Sequence, residues 1–404
     1  MDFHYKCIDC GAEYSREKMM YLCPQCSAER SKGEFQKGVL QVILDSEQLR
    51  KLNRTIYVDP SVFSPLPVFK PELYPVGNTP LIVPDNLRVE TAFKNLYIKD
   101  DGKNPSGSLK DRASQLVASQ AIVLGENRVS LASTGNAGSA MACAGASYGL
   151  DIVLFVPSTA PPAKLLQSVI YGANVIPING TYDDAFRLSI EFTNAFGGVN
   201  RNTAYNPFTI EGKKSVSVEI YNQLNGNAPD IVYVPVGDGV IYAGVYKGFL
   251  DMMRAGFIEQ IPRIIGVQSS GSNAIYRAYR TGQMLNIKEA TTAADSISVA
   301  SPANGRMVTN YLESCHGWMT EVSDEEILDA QLQLGREAGI FAEPAAATAW
   351  AGFIKDKDKL DKEQTVVILV TGTGFKDVRS FEKSIRIPQS IDPNIDEVKR
   401  VLCM

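Results

Sequence analysis

The sequence contains little histidine, and this scarcity restricts the chemistry that it can perform. Its two histidines, His4 and His316, lie in neither a zinc-protease motif nor a hydrolase motif. Any acid and base catalysis must therefore come from lysine, carboxylates, hydroxyls or a bound cofactor.

The sequence also lacks the patterns of nucleic-acid-binding and membrane proteins. The formal net charge is −5 with both signs interspersed, so we expect no basic surface for nucleic acid. No apolar run approaches the roughly 18 residues of a membrane-spanning helix. The N-terminal MDFHYKC has no signal-peptide pattern. We therefore expect a cytoplasmic protein with no nucleic-acid and no membrane partner.

Two common phosphate-binding motifs are missing as well. The segment GKKS at residues 212–215 lacks the earlier glycine of a P-loop, since that position is Pro207. The segment GDG at residues 237–239 is followed by Tyr242 where a dinucleotide fingerprint needs its last glycine. We therefore set aside a P-loop NTPase and a hydride-transfer enzyme.

Four cysteines near the N-terminus form two closely spaced pairs. Cys7 and Cys10 are separated by two residues, as are Cys23 and Cys26, with twelve residues between the pairs. Such thiolate pairs suit one tetrahedral structural zinc ion. The alternatives are a disulfide pair, which a reducing cytoplasm disfavours, and a site that has lost its zinc. We expect a zinc-ribbon-like segment over residues 1–35.

From about residue 95, short β-branched runs alternate with helical patterns. RVSLAST, DIVLFVPS and ANVIPIN read as strands separated by helices, and a second series begins near DIVYVPVG and ends with TVVILVTGTG. This alternation predicts an α/β protein with parallel sheets in two lobes. The chain, at 404 residues, is long enough for two or three domains.

Three predicted strands are followed by loops rich in Gly, Ser, Thr and Asn, at the strand ends where α/β proteins bind ligands. The loop at residues 133–136 leads directly into a helix, whose free amides can bind a carboxylate. The loop at residues 237–239 lets the backbone approach a phosphate closely. The third loop is TGTGFKD at residues 371–377. Each loop alone is also compatible with an ordinary turn.

One lysine stands in an unusual position. In SGSLKDRAS, residues 106–114, Lys110 lies in a Ser/Gly-rich turn just before a predicted helix. A solvated surface charge is the ordinary interpretation of a lysine in a chain with 40 Lys and Arg residues. A lysine that is partly desolvated in a cleft instead loses proton affinity and becomes a nucleophile and base.

Taken in order, these segments resemble the threonine synthase family of pyridoxal-phosphate (PLP) enzymes, which have the tryptophan synthase β-like fold (fold type II). The matching segments are PVGNTPL, IKDDGKNPSGSLKDRAS, LASTGNAGSAMACAGASYGL, YNPFTIEGKKS, VPVGDGVIYAG, GIFAEPAAATAWAG and VTGTGFKD. A cysteine-paired N-terminal segment is also familiar in this family. The resemblance implies an α/β fold of two doubly wound parallel-sheet lobes with a small N-terminal zinc-ribbon-like segment.

The resemblance also implies which residues hold the cofactor. Lys110 matches the lysine that binds pyridoxal phosphate covalently and then serves as the catalytic base. Asn136 matches the asparagine beside the cofactor's 3′-oxygen, and Thr371 matches the hydroxyl residue that faces the ring nitrogen. The cup for the cofactor's phosphate would consist of Gly237, Asp238, Gly239 and Val240.

The substrate side follows from the same resemblance. Ser133, Thr134 and Gly135 would hold the substrate's carboxylate, while Lys164 and Thr209 occupy positions near the leaving phosphate. The family converts O-phosphohomoserine and water to threonine and phosphate. We therefore expect a PLP-dependent lyase of amino-acid biosynthesis that acts on a small amino-acid substrate, and a homodimer.

The expected organisation divides the chain into four parts. After the zinc-ribbon-like segment, residues 36–105 and 215–386 form a large PLP-binding lobe and residues 106–214 form a small lobe. Residues 387–404 form a C-terminal tail.

Three positions near the leaving phosphate depart from the family pattern. Thr209 stands two residues after Pro207, where the family usually has arginine, as in NPYRIEG. Asp238 replaces an asparagine, and Thr373 replaces a histidine. Losing one charge-assisted pair and adding a like charge weakens phosphate recognition by about 2 to 5 kcal/mol.

Two further interpretations remain open. One is a PLP enzyme that performs elimination, ammonia-lyase or β-replacement chemistry on a different, possibly non-phosphorylated amino acid. The other is a non-catalytic binding or adaptor protein that has kept the fold, although such a protein has no need of Lys110 or Asn136.

Overall fold

The computed structural model describes residues 1–29, 31, 33–69, 72–378, 380, 385 and 390–402. In this part of the chain the strands form a three-stranded, a six-stranded and a four-stranded sheet. None of the helices in the described ranges combines the length and apolar character that crossing a membrane requires.

Helices are distributed along the whole chain between the strands. They are α1 (Pro24–Ala28), α2 (Ser46–Arg50), α3 (Asp85–Thr91), α4 (Lys110–Val123), α5 (Asn136–Tyr148), α6 (Pro162–Ile170), α7 (Tyr182–Phe196), α8 (Phe208–Glu211), α9 (Ser215–Gln223), α10 (Val240–Ala255), α11 (Ala274–Thr281), α12 (Gly305–Ser314), α13 (Asp324–Ala338), α14 (Pro344–Asp356) and α15 (Ile395–Leu402). Short 3₁₀ turns are found at Pro60–Phe63, Asp101–Lys103, Gly212–Lys214, Asp295–Ile297, Lys357–Lys359 and Gly374–Lys376.

The N-terminal sheet is antiparallel, with β1 (Phe3–Cys7) between β2 (Glu13–Ser15) and β3 (Leu40–Leu44). Tyr5 of the central strand lies opposite Tyr14 on one side and Val42 on the other. The third strand lies past residue 35, so this sheet uses more of the chain than the predicted zinc-ribbon-like segment.

The six-stranded sheet is parallel apart from one edge strand. Its strands are β4 (Leu81–Ile82), β5 (Leu96–Asp100), β10 (Ile231–Pro235), β11 (Arg263–Ser269), β12 (Trp318–Val322) and β13 (Val366–Val370). They lie in the order β12-β11-β10-β13-β5-β4, and the short β4 pairs antiparallel with β5. Parallel neighbours need long crossover connections, which the helices between the strands provide.

Both faces of the six-stranded sheet are buried, because successive residues of its strands enter two different hydrophobic cores. Val232 and Val234 of β10 belong to the core that contains α10. Ile231 and Tyr233 of the same strand belong to the core that contains α14. A strand buried on both faces reads as a continuous apolar run, and IVYVP has that composition.

The four-stranded sheet is entirely parallel, in the order β8-β7-β6-β9. Its strands are β6 (Arg128–Ala132), β7 (Asp151–Pro157), β8 (Asn174–Ile178) and β9 (Val199–Asn200). Helix α7 covers one face, where Phe192 packs against Phe155 with ring centroids 5.5 Å apart. Residues of α4 and α5 share the core on the other face.

A buried ion cluster connects α4 to α9 and β5. Arg112 contacts Asp101 and Glu219, each at 2.6 Å, and Lys99 contacts Glu219 at 2.7 Å. Burial acts to raise the pKa of Glu219, but the charges and hydrogen bonds of Arg112 and Lys99 hold it at about 2. Arg112 therefore braces the helix that begins at Lys110.

The structure confirms the predicted α/β architecture with parallel sheets. The predicted strands near RVSLA, DIVLFVP, DIVYVP and TVVILV are β6, β7, β10 and β13. All strands of the four-stranded sheet fall inside residues 106–214, but the division into two lobes at those boundaries stays a prediction. The expected tail, residues 387–404, lies partly outside the described residues, and α15 lies in its second half.

Candidate active site

Loops that follow strands of both parallel sheets meet at one cleft. The cleft contains a cavity of about 480 Å³. Its walls include Gly135 and Lys164 from the side of the four-stranded sheet, and Asp295 and Thr373 from the side of the six-stranded sheet. In parallel α/β proteins the carboxyl ends of the strands are the usual site of ligand binding.

Backbone hydrogen bonds join the loop that carries Lys110 to the end of β13. The amide of Leu109 donates to the carbonyl of Thr371 at 2.8 Å, and the amide of Thr373 donates to the carbonyl of Gly107 at 3.0 Å. Gly107 has φ +90°, and a Cβ there would lie 2.9 Å from the Thr373 side chain. The glycine therefore permits the close approach that fixes Lys110 at the start of α4.

The amine of Lys110 lies among charged side chains from both sheets. Burial lowers the pKa of Lys110 most strongly; Glu343 raises it, Arg201 lowers it and Asp238 raises it. An amine whose pKa is lowered has a larger unprotonated fraction at neutral pH, which is the form that attacks carbonyl carbon and accepts protons. The location of Lys110 therefore favours a catalytic role over that of a solvated surface charge.

The first turn of α5 faces the cleft. Gly135 precedes the helix and has no side chain with which to cap it. The hydroxyl of Ser133 accepts from the amides of Gly135 at 3.3 Å and Gly138 at 3.0 Å, which fixes the shape of the loop. Thr134 is half-buried beside it. The remaining first-turn amides and the positive end of the helix dipole can hold an anion.

Asn136, the first residue of α5, is bound to the other side of the cleft. Its side-chain amide donates to both carboxylate oxygens of Glu343, at 2.9 and 3.1 Å. The hydroxyl of Ser296 also donates to Glu343, at 3.1 Å. Burial raises the pKa of Glu343, and the hydrogen bond from Asn136 lowers it, as does the charge of Lys110.

The loop at residues 237–239 forms a narrow cradle before α10. Gly239 has φ +91°, and a Cβ there would lie 2.5 Å from the Val308 side chain. A Cβ on Gly237 would lie 3.0 Å from Cα of Ile297. Gly239 offers no side-chain cap to the helix that begins at Val240. Backbone amides at the start of α10 are therefore available to a ligand.

Asp238 lies between the two glycines and faces several cations. Its carboxylate accepts from the amide of Ala303 at 3.2 Å. Burial raises the pKa of Asp238; the Ala303 hydrogen bond lowers it, as do the charges of Lys110 and Lys213. The side chain belongs to the charged group around Lys110 instead of pointing away to solvent.

Thr209 is fully buried, and its hydroxyl is engaged within its own loop. The hydroxyl donates to the carbonyl of Asn206 at 2.7 Å and accepts from the amide of Ala204 at 3.3 Å. Its carbonyl accepts from the ammonium of Lys213. The structure thus places Thr209 next to a cation, and its predicted role toward substrate stays a prediction.

Lys164, on α6, forms an ion pair across the mouth of the cleft. Its ammonium lies 2.6 Å from the carboxylate of Asp295. Both side chains retain solvent contact, so the pair contributes little stability.

Several charged residues of the site were not predicted from the sequence. Arg201 follows β9, a strand of two residues that is too short for periodicity to reveal. Lys213 lies in the segment YNPFTIEGKKS, which belongs to the family resemblance, but the resemblance assigns no role to this lysine. The ammonium of Lys376 donates to the hydroxyl of Ser139 at 2.9 Å. The motif TGTGFKD predicts the loop, but it does not predict this contact. These residues belong to the site because folding brings them together from segments of the two sheets.

The four N-terminal cysteines form a separate cluster. The sulfur atoms of Cys7, Cys10, Cys23 and Cys26 all lie within 4.8 Å of one another. Those of Cys10 and Cys23 are 3.8 Å apart. A tetrahedral zinc ion with bonds of about 2.3 Å places its sulfur ligands about 3.8 Å apart. The donor set therefore fits one metal ion.

Most of this chain matches a known protein family. The family described as pyridoxal-phosphate-dependent enzymes matches residues 73–372. Two archaeal threonine synthases match almost end to end. That of Methanosarcina acetivorans is 33% identical, with 99% of this chain and 98% of the relative covered. That of Methanocaldococcus jannaschii is 32% identical, with 98% of each covered.

Solved structures with low sequence identity share the fold. The processed form of threonine deaminase isoform 2 from Solanum lycopersicum has a TM-score of 0.68 at 21% identity, covering 91% of this chain and 95% of that one. Maize serine racemase has a TM-score of 0.67 at 21% identity, covering 76% of this chain and 91% of that one. At these identities the likeness concerns the fold alone.

Proposed function

The chain belongs to the family of pyridoxal-phosphate-dependent enzymes, and on that premise we propose a threonine synthase-like lyase that converts O-phosphohomoserine and water to threonine and phosphate. Relatives named threonine synthase that match over nearly the whole chain support this reaction. The observation that carries it is the position of Lys110, whose amine is desolvated among charged residues at the junction of the two parallel sheets. A lysine that only solvates the surface has no reason to lie there.

The residues around Lys110 fit a phosphorylated ring. The cradle at Gly237 and Gly239 leaves no room for side chains, while amides at the start of α10 are free to bind a phosphate. Asp238 and Val240 complete this cup, and Lys110 would hold the cofactor covalently. When bound, pyridoxal phosphate supplies an electron sink for bonds broken at the substrate's Cα and Cβ.

Two polar residues would orient the ring from opposite sides. Thr371, whose carbonyl is fixed by the amide of Leu109, would offer a neutral hydroxyl to the ring nitrogen. Asn136 would donate to the 3′-oxygen, and Glu343 and Ser296 already orient its amide. A neutral partner at the ring nitrogen favours elimination and replacement over chemistry that needs a fully protonated ring.

Lys110 would carry protons once the substrate has displaced it. We assign to its amine the removal of the proton from Cα, then from Cβ as the Cγ–O bond to the leaving phosphate breaks, and the return of protons to Cγ and Cα as the hydroxyl of water adds at Cβ. The lowered pKa suits an amine that both accepts and donates protons near neutral pH. This single base is consistent with a chain that contains only two histidines.

The loop from Ser133 to Gly135 would bind the substrate's carboxylate. The first-turn amides of α5 and its dipole attract an anion at that point, and the hydroxyl of Ser133 already fixes the loop. Lys164 and Thr209 are assigned to the leaving-phosphate end. The pair between Lys164 and Asp295 lies at the mouth, where its opening and closing would control access of substrate and water.

A second candidate function follows from Asp238 and Thr209. An acid and an uncharged hydroxyl near the leaving group also suit elimination or β-replacement on a non-phosphorylated amino acid. The test incubates the holoenzyme with O-phosphohomoserine and measures threonine and phosphate against Lys110→Ala. Equal release of both products, lost in the variant, supports threonine synthase chemistry. No phosphate release, with 2-oxo acid and ammonia from another amino acid, contradicts it.

The cysteine cluster is proposed to hold one structural zinc ion. Four thiolates would close its coordination shell, so the metal would stabilise the N-terminal sheet and take no part in catalysis. The antiparallel strands around it support the name zinc ribbon for this segment. A homodimer and a cytoplasmic location are proposed on family resemblance and on composition, respectively.

A further inference from the structure

Arg201 is a fully buried cation that lacks the partners such a group normally has. Its side chain is 0% exposed and follows β9, where its amide donates to the carbonyl of Ser130 at 2.8 Å. One guanidinium nitrogen, Nη1, donates to the hydroxyl of Thr203 at 2.9 Å. Within the described residues, Nε and Nη2 have no hydrogen-bond partner.

The effect of burial on the pKa of Arg201 is not offset by the charge of Asp111, which raises this pKa. In the ranges that the structure describes, Arg201 forms no ion pair, although Arg112 forms two with carboxylates. Burial lowers the pKa of Arg201 to about 10, so the guanidinium remains a cation at neutral pH. A buried guanidinium with free donors is costly unless an anion satisfies it.

Lys213 is a second buried basic side chain, and its charge interacts with that of Arg201. Its side chain is 0% exposed, and its ammonium donates to the carbonyl of Thr209. Burial lowers the pKa of Lys213, and the charges of Arg201 and Lys110 lower it further, whereas Asp238 raises it. The ammonium has three donors, so one hydrogen-bond partner among the described residues leaves capacity for a ligand.

The strands next to Arg201 indicate that it lies on the side of the cleft assigned to the substrate. Arg201 lies at the carboxyl end of β9, which pairs with β6, the strand that leads into the loop at Ser133. The hydroxyl of Tyr182 donates to the carbonyl of Ala132 at 3.3 Å beside the same strand ends. The cup assigned to the cofactor's phosphate follows a strand of the six-stranded sheet, and its Asp238 interacts with Lys213, so the two phosphate positions would be neighbours.

We propose that Arg201 and Lys213 form the subsite that binds the distal phosphate of the substrate, in place of an arginine at position 209. This proposal rests on the proposed function and identifies the residues that determine its specificity. A bound phosphate dianion favours the protonated form of Lys213, so the two side chains together would match its charge, and a guanidinium with free Nε and Nη2 presents the two-pronged geometry that phosphate oxygens accept. The carbonyl of Thr209 positions Lys213.

The test measures binding of inorganic phosphate to the holoenzyme by calorimetry. We expect Arg201→Gln and Lys213→Met each to weaken binding by about 10-fold to 100-fold, because each removes a charge-assisted contact. Arg201→Lys, which keeps the charge, should lose less. The matched control is Arg128→Gln, whose ion pair with Asp151 is half exposed, and it should change binding by less than about 2-fold. Unchanged phosphate affinity in both variants would overturn the proposal.

A second arm separates the substrate's phosphate from the cofactor's. The affinity of the apoenzyme for pyridoxal phosphate should be nearly the same in Arg201→Gln and wild type. If instead cofactor affinity falls and the holoenzyme binds inorganic phosphate as before, the cations serve the cofactor and the proposal is wrong.

Thermal unfolding distinguishes a ligand site from a structural brace. Arg201→Met should unfold at a higher temperature than wild type without phosphate, because it removes an unpaired buried charge, and phosphate should no longer raise that temperature. If Arg201 had only a structural role, Arg201→Met would unfold at a lower temperature than the wild type. Failure of the proposed function looks different: the wild type would make no threonine, yet phosphate binding would still depend on Arg201 and Lys213.

Discussion

Asn136 and Glu343 are 207 residues apart in sequence, yet the amide of one donates to both carboxylate oxygens of the other, at 2.9 and 3.1 Å. The contact joins the first turn of α5, beside the four-stranded sheet, to the start of α14, beside the six-stranded sheet. It also places a carboxylate next to Lys110, whose pKa it raises against the effect of burial. The contact therefore orients the side-chain amide of Asn136, and its carboxylate raises the pKa of Lys110.

We expect Glu343→Gln to move the pH dependence of cofactor attachment to lower pH. Removing this negative charge lowers the pKa of Lys110 further, so the free amine forms at lower pH. The glutamine oxygen can still accept from Asn136. The measurement is the rate at which pyridoxal phosphate combines with the apoenzyme, followed by absorbance across pH. Glu363→Gln, which removes an exposed partner of Lys94, should not shift the midpoint, and a shift to higher pH in Glu343→Gln would contradict the assignment.

Replacement of Lys110 by alanine should remove covalent attachment of the cofactor and lower threonine formation by at least about 10²–10⁴-fold. Borohydride reduction followed by peptide mass spectrometry locates the attachment in the wild type. Lys94→Ala, at an exposed ion pair, is the matched control and should keep both properties. Attachment at another lysine in the wild type would refute the role of Lys110.

Arg112→Met should destabilise the protein by about 3–5 kcal/mol, because Asp101 and Glu219 lose their principal partner inside the fold. The midpoint of urea unfolding measures the loss. Arg128→Met removes a half-exposed pair with Asp151 and should cost at most about 1 kcal/mol. Equal midpoints for the two variants would show that the buried cluster is not the brace that we describe.

The cysteine cluster should bind about one zinc ion per chain, since four thiolates complete one tetrahedral shell. Elemental analysis of the purified protein measures the metal. Cys26→Ser should lose it and lower the unfolding temperature, as should a strong chelator. Cys143→Ser lies outside the cluster and should retain the zinc; retention by Cys26→Ser as well would disprove the site.

Local patterns predicted much of the fold. The β-branched runs in DIVYVPVG and TVVILVTGTG predict strands of a parallel sheet, and both are central strands of the six-stranded sheet. The two-residue strand β9 was missed because it is too short to show periodicity. Its partner β6 decides its conformation, and that pairing is invisible in local sequence.

At the candidate site, local motifs predict the residues that belong to short contiguous segments. Lys110 before α4, the loop from Ser133 to Asn136 and the glycines at 237 and 239 are features of short contiguous segments, as is the cysteine spacing. Folding brings Asn136 to Glu343 and Arg201 close to Lys213, and within the described ranges Arg201 has no carboxylate at ion-pair distance. Burial and pairing of charges depend on which distant segments the two sheets bring together, and no local pattern specifies that.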